Sequence, residues 1–184
     1  MNQSRRCVCV FCGSSQAVSE RYLEAAAATG RRLAAGGLGV VYGGGRVGLM
    51  GALADAALAA GGEVVGVIPN ALVAREVAHG RLSELIVVET MHERKALMAA
   101  RAGAFLALPG GFGTLEEILE AITWNQLGIH AKPCFFFNID GFYDALRAQF
   151  ERAQSDRFVP SGRELTAFES DLDAVIDRIL EAVS

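Results

Sequence analysis

The sequence predicts a doubly wound, Rossmann-like α/β fold, a parallel sheet with helices on both faces, in a single domain over residues 1–184. Three observations carry this expectation. Short apolar, β-branched runs alternate with helical patterns along the whole chain. The runs are apolar at almost every position, as in Val64-Val65-Gly66-Val67-Ile68 and Cys134-Phe135-Phe136-Phe137. Strands covered by helices on both faces need that pattern. No Pro/Ser-rich linker or charge block divides the chain, and at this length one core buries about 70% of the surface exposed on unfolding.

Strands are expected at 7–11, 39–42, 63–68, 85–89, 104–108 and 134–138, with a last candidate at 165–168. Helical patterns fill the intervals at 19–35, 48–61, 92–102, 115–128, 142–154 and 171–182. The first strand, Cys7-Val8-Cys9-Val10-Phe11, runs into Cys12-Gly13-Ser14-Ser15. The second ends at Tyr42-Gly43-Gly44-Gly45, the third at Pro69-Asn70, and the fifth at Pro109-Gly110-Gly111. Helix 48–61 presents small residues that can pack within one chain or across a subunit interface. Helix 92–102 aligns Arg94, Met98 and Arg101 on one face. In helix 115–128 the stripe Leu115, Ile118, Leu119, Ile122 is expected to face the core.

Seventeen Lys and Arg against 21 Asp and Glu give a net charge of -4, which argues against a nucleic-acid partner, since such a protein carries a basic stripe. No apolar run reaches the length of a membrane span, because Asp55 and several glycines interrupt the Ala-rich stretch 48–62. Arg5 and Arg6 lead into only Cys7 to Phe11 before Gly13, too short for a signal-peptide core, so a cytoplasmic location is expected. Cys9 and Cys12 form a C-x-x-C pattern. On a strand, residues three apart face opposite ways at roughly 10 Å, beyond disulfide reach. With no second ligand pair for a metal, the cysteines read as small buried hydrophobes.

In a doubly wound sheet, ligands sit outside the carboxyl ends of the strands, where helix N-termini present unpaired amides. Four segments qualify: Cys12 to Ser15, Tyr42 to Gly48, Glu89 to Lys95, and Pro109 to Glu117. Gly43, Gly45 and Gly48 match G-x-G-x-x-G. The acidic residue that would hold a dinucleotide ribose is missing from the end of the next strand, and Glu63 lies at its wrong end. A tight turn with close helix approach at Gly51 and Ala52 is the simpler reading. No Gly-Lys-Ser/Thr follows any glycine run, which excludes a Walker loop.

Pro109-Gly110-Gly111-Phe112-Gly113-Thr114 leaves a buried strand and opens a helix. Its backbone amides, the helix dipole and the Thr114 hydroxyl suit a monophosphate. Equally, Thr114 and Glu117 have the T-x-x-E spacing of a capping box, as do Thr90 and Glu93. Arg94 stands in the first helical turn, where a cation opposes the dipole. A bound anion or a partner carboxylate would explain that position, and a solvated charge costing a few tenths of a kcal/mol would also do so.

Taken together, Met91-His92-Glu93-Arg94-Lys95, the PGGxGTxxE run Pro109 to Glu117, and Tyr42-Gly43-Gly44-Gly45-Arg46-Val47-Gly48-Leu49-Met50-Gly51 resemble the Lonely Guy family of cytokinin riboside 5'-monophosphate phosphoribohydrolases. The resemblance covers nearly the whole chain. It implies hydrolysis of the N-glycosidic bond of an adenine-type nucleoside 5'-monophosphate, releasing free base and ribose 5-phosphate. It implies Arg94 and Glu117 as the catalytic pair. Substrate binding would fall to Gly13, Ser14, Gly43, Gly44, Gly45, Glu76, Lys95, Met98, Gly110, Gly111, Phe112, Gly113, Thr114, Leu115 and Glu116. It also implies a homodimer, a small nucleotide as the partner, neither nucleic acid nor membrane, and no cofactor. Asn70, where the family commonly has Lys, and Phe112, at a variable position, bear on base preference.

The chemistry agrees with that implication. Breaking a ribosyl bond develops oxocarbenium-like charge, which a carboxylate such as Glu117 can stabilise while activating water. Arg94 can keep that carboxylate ionised or clamp sugar and phosphate oxygens. Two other readings stand beside it. A non-catalytic nucleotide-binding module would need the cradle without the carboxylate. A pyridoxal-dependent lysine decarboxylase would need a Schiff-base lysine, and the chain has only Lys95 and Lys132.

Overall fold

The computed structural model describes residues 6–73, 78–159 and 165–183. Its elements are β1 (Cys7–Phe11), α1 (Glu20–Ala35), β2 (Gly39–Tyr42), α2 (Gly48–Ala59), β3 (Val64–Pro69), β4 (Glu84–Val88), α3 (Met91–Arg101), β5 (Ala104–Ala107), α4 (Phe112–Gln126), β6 (Cys134–Phe137), α5 (Asp144–Ser155), β7 (Thr166–Glu169) and α6 (Leu172–Val183). The strands form one parallel sheet in the order β4-β3-β2-β1-β5-β6-β7. The expected doubly wound fold is therefore present, with every predicted strand and helix in place.

Side-chain alternation along each strand builds two apolar layers. Val8 and Val10 of β1 join Leu33, Leu53 and Ile176 on the face covered by α1, α2 and α6. Cys9 and Phe11 point the other way, to Met98, Ile118 and Tyr143 on the face covered by α3, α4 and α5. Each fully buried Val, Leu or Ile contributes about 1.5–3 kcal/mol. On the first face α1 and α2 approach so closely at Gly30 that a Cβ there would collide with the Leu53 carbonyl and stand 3.0 Å from the Ala57 amide nitrogen.

From β1 the chain winds outward through β2 and β3 to β4 at one edge. Then α3 crosses back beneath β3, β2 and β1 and delivers β5 to the other side of β1. The order reverses between β1 and β5, which pair in register from Val8 with Ala104 to Phe11 with Ala107. A switch point of this kind opens a crevice at the carboxyl ends of the two strands.

Four details differ from the sequence expectation. Helix α4 starts at Phe112, three residues before the predicted 115. A short 3-10 turn over 139–141 precedes α5, with Asp140 (φ 51°) and Gly141 (φ 72°) in left-handed conformation. Strand β4 is not covered on both faces: as an edge strand it leaves Leu85 and Val87 exposed. Leu119, placed in the core stripe of α4, is exposed as well: α4 packs on β1, β5 and β6 through Ile118 and Ala121, which are buried, and Leu119 stands off that contact.

Candidate active site

A cavity of about 570 Å³ lies at the switch point, within the size range of small-ligand sites. Cys12 to Ser15, after β1, form one wall, and Pro109 to Thr114, after β5, form another. Gly13 ties them together: its amide donates to the Pro109 carbonyl at 3.1 Å, and its carbonyl accepts from the Leu49 amide at 3.0 Å. The start of α2 can come this near because Gly48 holds φ +61°, with a notional Cβ only 2.6 Å from the Ser15 carbonyl oxygen. First-turn or capping residues of α1, α2, α3 and α4 all reach the wall through Ser19, Leu49, Met91 and Gly111. Helix N-termini carry partial positive charge and unsatisfied amides, so the cavity favours an anion.

The start of α4 overturns one of the two readings of Thr114, the capping box. Gly111 is the N-cap and supplies no side chain, while Thr114 is buried at the third helical position. The Thr114–Glu117 capping box therefore does not form. Instead the Thr114 hydroxyl packs down against Gly110, where any Cβ would collide with it. The first amides of α4 have no intrahelical acceptor. On α3 the same spacing does make a box: Thr90 Oγ1 accepts from the Glu93 amide at 3.1 Å, and Glu93 Oε2 accepts from the Thr90 amide at 3.2 Å.

Arg94 is 5% exposed. Its Nη2 donates to the Gly43 carbonyl at 3.2 Å, so the glycine turn after β2 provides part of the compensation that a cation at a helix start requires. That turn is folded back by Tyr42, whose hydroxyl donates to the Gly45 carbonyl at 3.0 Å. A Cβ at Gly43 would run into the guanidinium. Glu117, half-buried on α4, lines the same cavity as Arg94. Both charges reach the Cys9 thiol beneath: burial pushes it well up, the Glu117 carboxylate adds to that, and the Arg94 guanidinium opposes it. Burial and Glu117 likewise raise the Cys12 thiol.

Gly13, Ser14, Gly110, Gly111, Phe112, Gly113, Thr114 and Glu116 also stand on the cavity wall. Gly43, Gly44 and Gly45 are not on the wall: Gly43 lies against Arg94, Gly44 packs on Ile68 and Leu85, and Gly45 bridges to Ala78; Met98 is a core residue at 1% exposure. Leu115 packs partly buried into the α3–α4–α5 layer. The Lys95 ammonium points to Glu116 and Glu120 on α4; Lys95 is not on the wall. Glu76 falls outside the described residues. The sequence reading did not single out Tyr22 and Phe142, which meet edge to face at 5.9 Å on the wall. Both belong to elements that follow strands β1 and β6, so the carboxyl-end rule held the signal. Phe142 is set there because the Tyr143 hydroxyl donates to the Leu108 carbonyl at 2.6 Å and its amide to Asn138 Oδ1 at 2.6 Å. Lys132 points elsewhere, donating to the Ala99 carbonyl at 2.5 Å, and burial lowers its pKa.

Fold and site define a doubly wound α/β protein whose switch-point cavity is lined by helix starts, an arginine and a glutamate. The family model described as "Possible lysine decarboxylase" matches residues 50–179. A rice (Oryza sativa subsp. japonica) protein named as a probable cytokinin riboside 5'-monophosphate phosphoribohydrolase is 49% identical over 185 residues, covering 100% of this chain and 82% of the relative. An Arabidopsis thaliana protein named as a cytokinin riboside 5'-monophosphate phosphoribohydrolase is 49% identical over 156 residues, covering 85% and 73%. The chain belongs to this phosphoribohydrolase family. Among solved structures, the molybdenum cofactor carrier protein of Chlamydomonas reinhardtii superposes with a TM-score of 0.73 at 20% identity, covering 96% of this chain and 97% of that one. At that identity the likeness concerns the fold.

Proposed function

We propose that the protein hydrolyses the N-glycosidic bond of adenosine 5'-monophosphate or an N6-substituted analogue, releasing adenine or a cytokinin base and ribose 5-phosphate. The observation that carries this reading is that Arg94 and Glu117 line one cavity whose floor is the start of α4. In this reading the phosphate lies on the amides of Gly111 to Thr114 with Ser14 beside it. That remote grip positions the sugar. The Glu117 carboxylate faces the anomeric carbon, stabilises developing positive charge and accepts a proton from water. The water oxygen bonds to C1' and keeps one proton, the C1'–N bond breaks with its electron pair passing to the base, and the proton that Glu117 took from the water passes on, directly or through solvent, to the base nitrogen, which leaves neutral while the carboxylate is regenerated. Arg94 clamps sugar or phosphate oxygens and favours the ionised carboxylate.

A Schiff-base decarboxylase fits poorly, since neither lysine lines the cavity. A cytoplasmic location and the absence of nucleic-acid and membrane partners belong to the same proposal, supported by the net charge of -4; among the described residues no helix is long and apolar enough to cross a membrane. So does a homodimer, supported by exposed Leu85, Val87, Leu119 and Ile129; sedimentation of the purified protein as a monomer at micromolar concentration would count against it.

The test is release of free base from adenosine 5'-monophosphate and its N6-isopentenyl analogue, measured side by side. Glu117→Gln preserves shape at a position that does not cap the helix. It is expected to lower kcat about 10²–10⁴-fold with the melting temperature nearly unchanged. Tight nucleotide binding without base release by the unaltered protein would favour a carrier module.

A further inference from the structure

The ammonium of Lys95 lies 2.5 Å from Glu116 Oε1 and 3.1 Å from Glu120 Oε1, and its side chain is only 10% exposed. One cation between two carboxylates leaves the cluster with net negative charge, which repels a phosphate rather than attracting one. Two of the three ammonium donors are already spent. Both carboxylates hold the lysine charged: burial works to lower its pKa, but the hydrogen bonds to Glu116 and Glu120 outweigh it.

The partners matter through their neighbours. Lys95 follows Arg94 on α3, and Glu116 precedes Glu117 on α4. Adjacent helical residues point about 100° apart, so a tie between Lys95 and the Glu116/Glu120 face fixes the rotation of both helices. Rotation of either would move Arg94 or Glu117 within the cavity.

We propose that Lys95 is a positioning residue, an ionic strap from α3 to α4 that sets Arg94 against Glu117, and not a ligand of the substrate phosphate. This rests on the reading of Arg94 and Glu117 as the reacting pair.

The test is steady-state base release by five variants, with thermal melting as a check on folding. Lys95→Met is expected to lower kcat about tenfold to a hundredfold, the range a displacement near 1 Å produces, with KM within about threefold. Glu120→Gln alters a residue outside the cavity and is expected to lower kcat in the same direction. The pair Lys95→Met/Glu120→Gln is expected to be no worse than Lys95→Met alone. Lys95→Arg, which can reach both carboxylates, is expected to stay within about threefold of the unaltered protein. A rise in KM of tenfold or more in Lys95→Met with kcat retained, or unaltered kinetics in Glu120→Gln, overturns the strap. If Lys95→Met does not fold, the Glu120→Gln and Lys95→Arg results decide. Glu117→Gln separates the two levels: full turnover in that variant overturns the reacting-pair reading and the strap with it, whereas an inactive Glu117→Gln beside a normal Glu120→Gln overturns the strap alone.

Discussion

At the scale of single residues, Gly43 illustrates how a missing methyl group sets the site. It lies off the cavity wall, yet its carbonyl accepts from Arg94 and its Cβ position is filled by the guanidinium. Gly43→Ala would displace the far end of a flexible side chain rather than backbone, so the cost falls on function. We expect kcat/KM for base release to drop about tenfold to a hundredfold, while the melting temperature moves by no more than a few degrees; unchanged kinetics would detach Arg94 from the turn. The adverse place of Arg94 at a helix start was legible in the sequence as a question. Its answer was not, because Gly43 stands 51 residues earlier and the two meet only once β2 and α3 are in place. Thr114 shows the converse case. The T-x-x-E spacing offered a cap, and the earlier start of α4 at Gly111, which leaves Thr114 inside the helix and packed on Gly110, overrode it.

At the scale of elements, the α1–α2 contact turns on Gly30. Alanine ordinarily favours a helix by about 1 kcal/mol over glycine. Here the added methyl meets the backbone of Leu53 and Ala57, which cannot move without shifting α2, and overpacking costs about 1–3 kcal/mol. The clash wins, so Gly30→Ala is expected to lower the urea midpoint; a stabilised variant would show that the helices are not in contact there. Strand positions were legible because a sheet covered on both faces demands apolar runs ended by glycine or proline. Boundaries failed where two local signals competed, at Phe112 against Thr114, and where no pattern marks a turn, at 139–141. The exposed side of β4 was hidden because Leu85 to Val88 is as apolar as an inner strand, and strand order cannot be read from one chain's composition.

At the scale of the whole molecule, buried ionisable groups predict how the protein meets alkali. Burial raises the thiols of Cys9 and Cys12 and pushes that of Cys134 up to about 12 from its ordinary 9.0. Burial also raises the Tyr42 and Tyr143 hydroxyls. The folded state keeps protons that the unfolded chain releases, so stability is intact below pH 9 and falls as pH rises toward 12. Each thiol contributes a slope of about 1.4 kcal/mol per pH unit in that window. Urea midpoints measured at pH 8, 10 and 11 should decline steadily; a flat series would contradict the burial of these groups.

The return of α3 beneath the sheet makes that helix a spacer of fixed gauge. Its 11 residues extend ~16 Å at 1.5 Å per residue, about the length of the five-residue strands β1 and β4 at ~3.3 Å per residue, so it returns the chain from the carboxyl ends of the strands to their amino ends. A single inserted residue would lengthen it little but swing everything downstream by a quarter-turn or more. In this chain the loops flanking the crossover can absorb an added residue, whereas one placed between Met91 and Arg101 would turn Arg101 and β5 away from their partners.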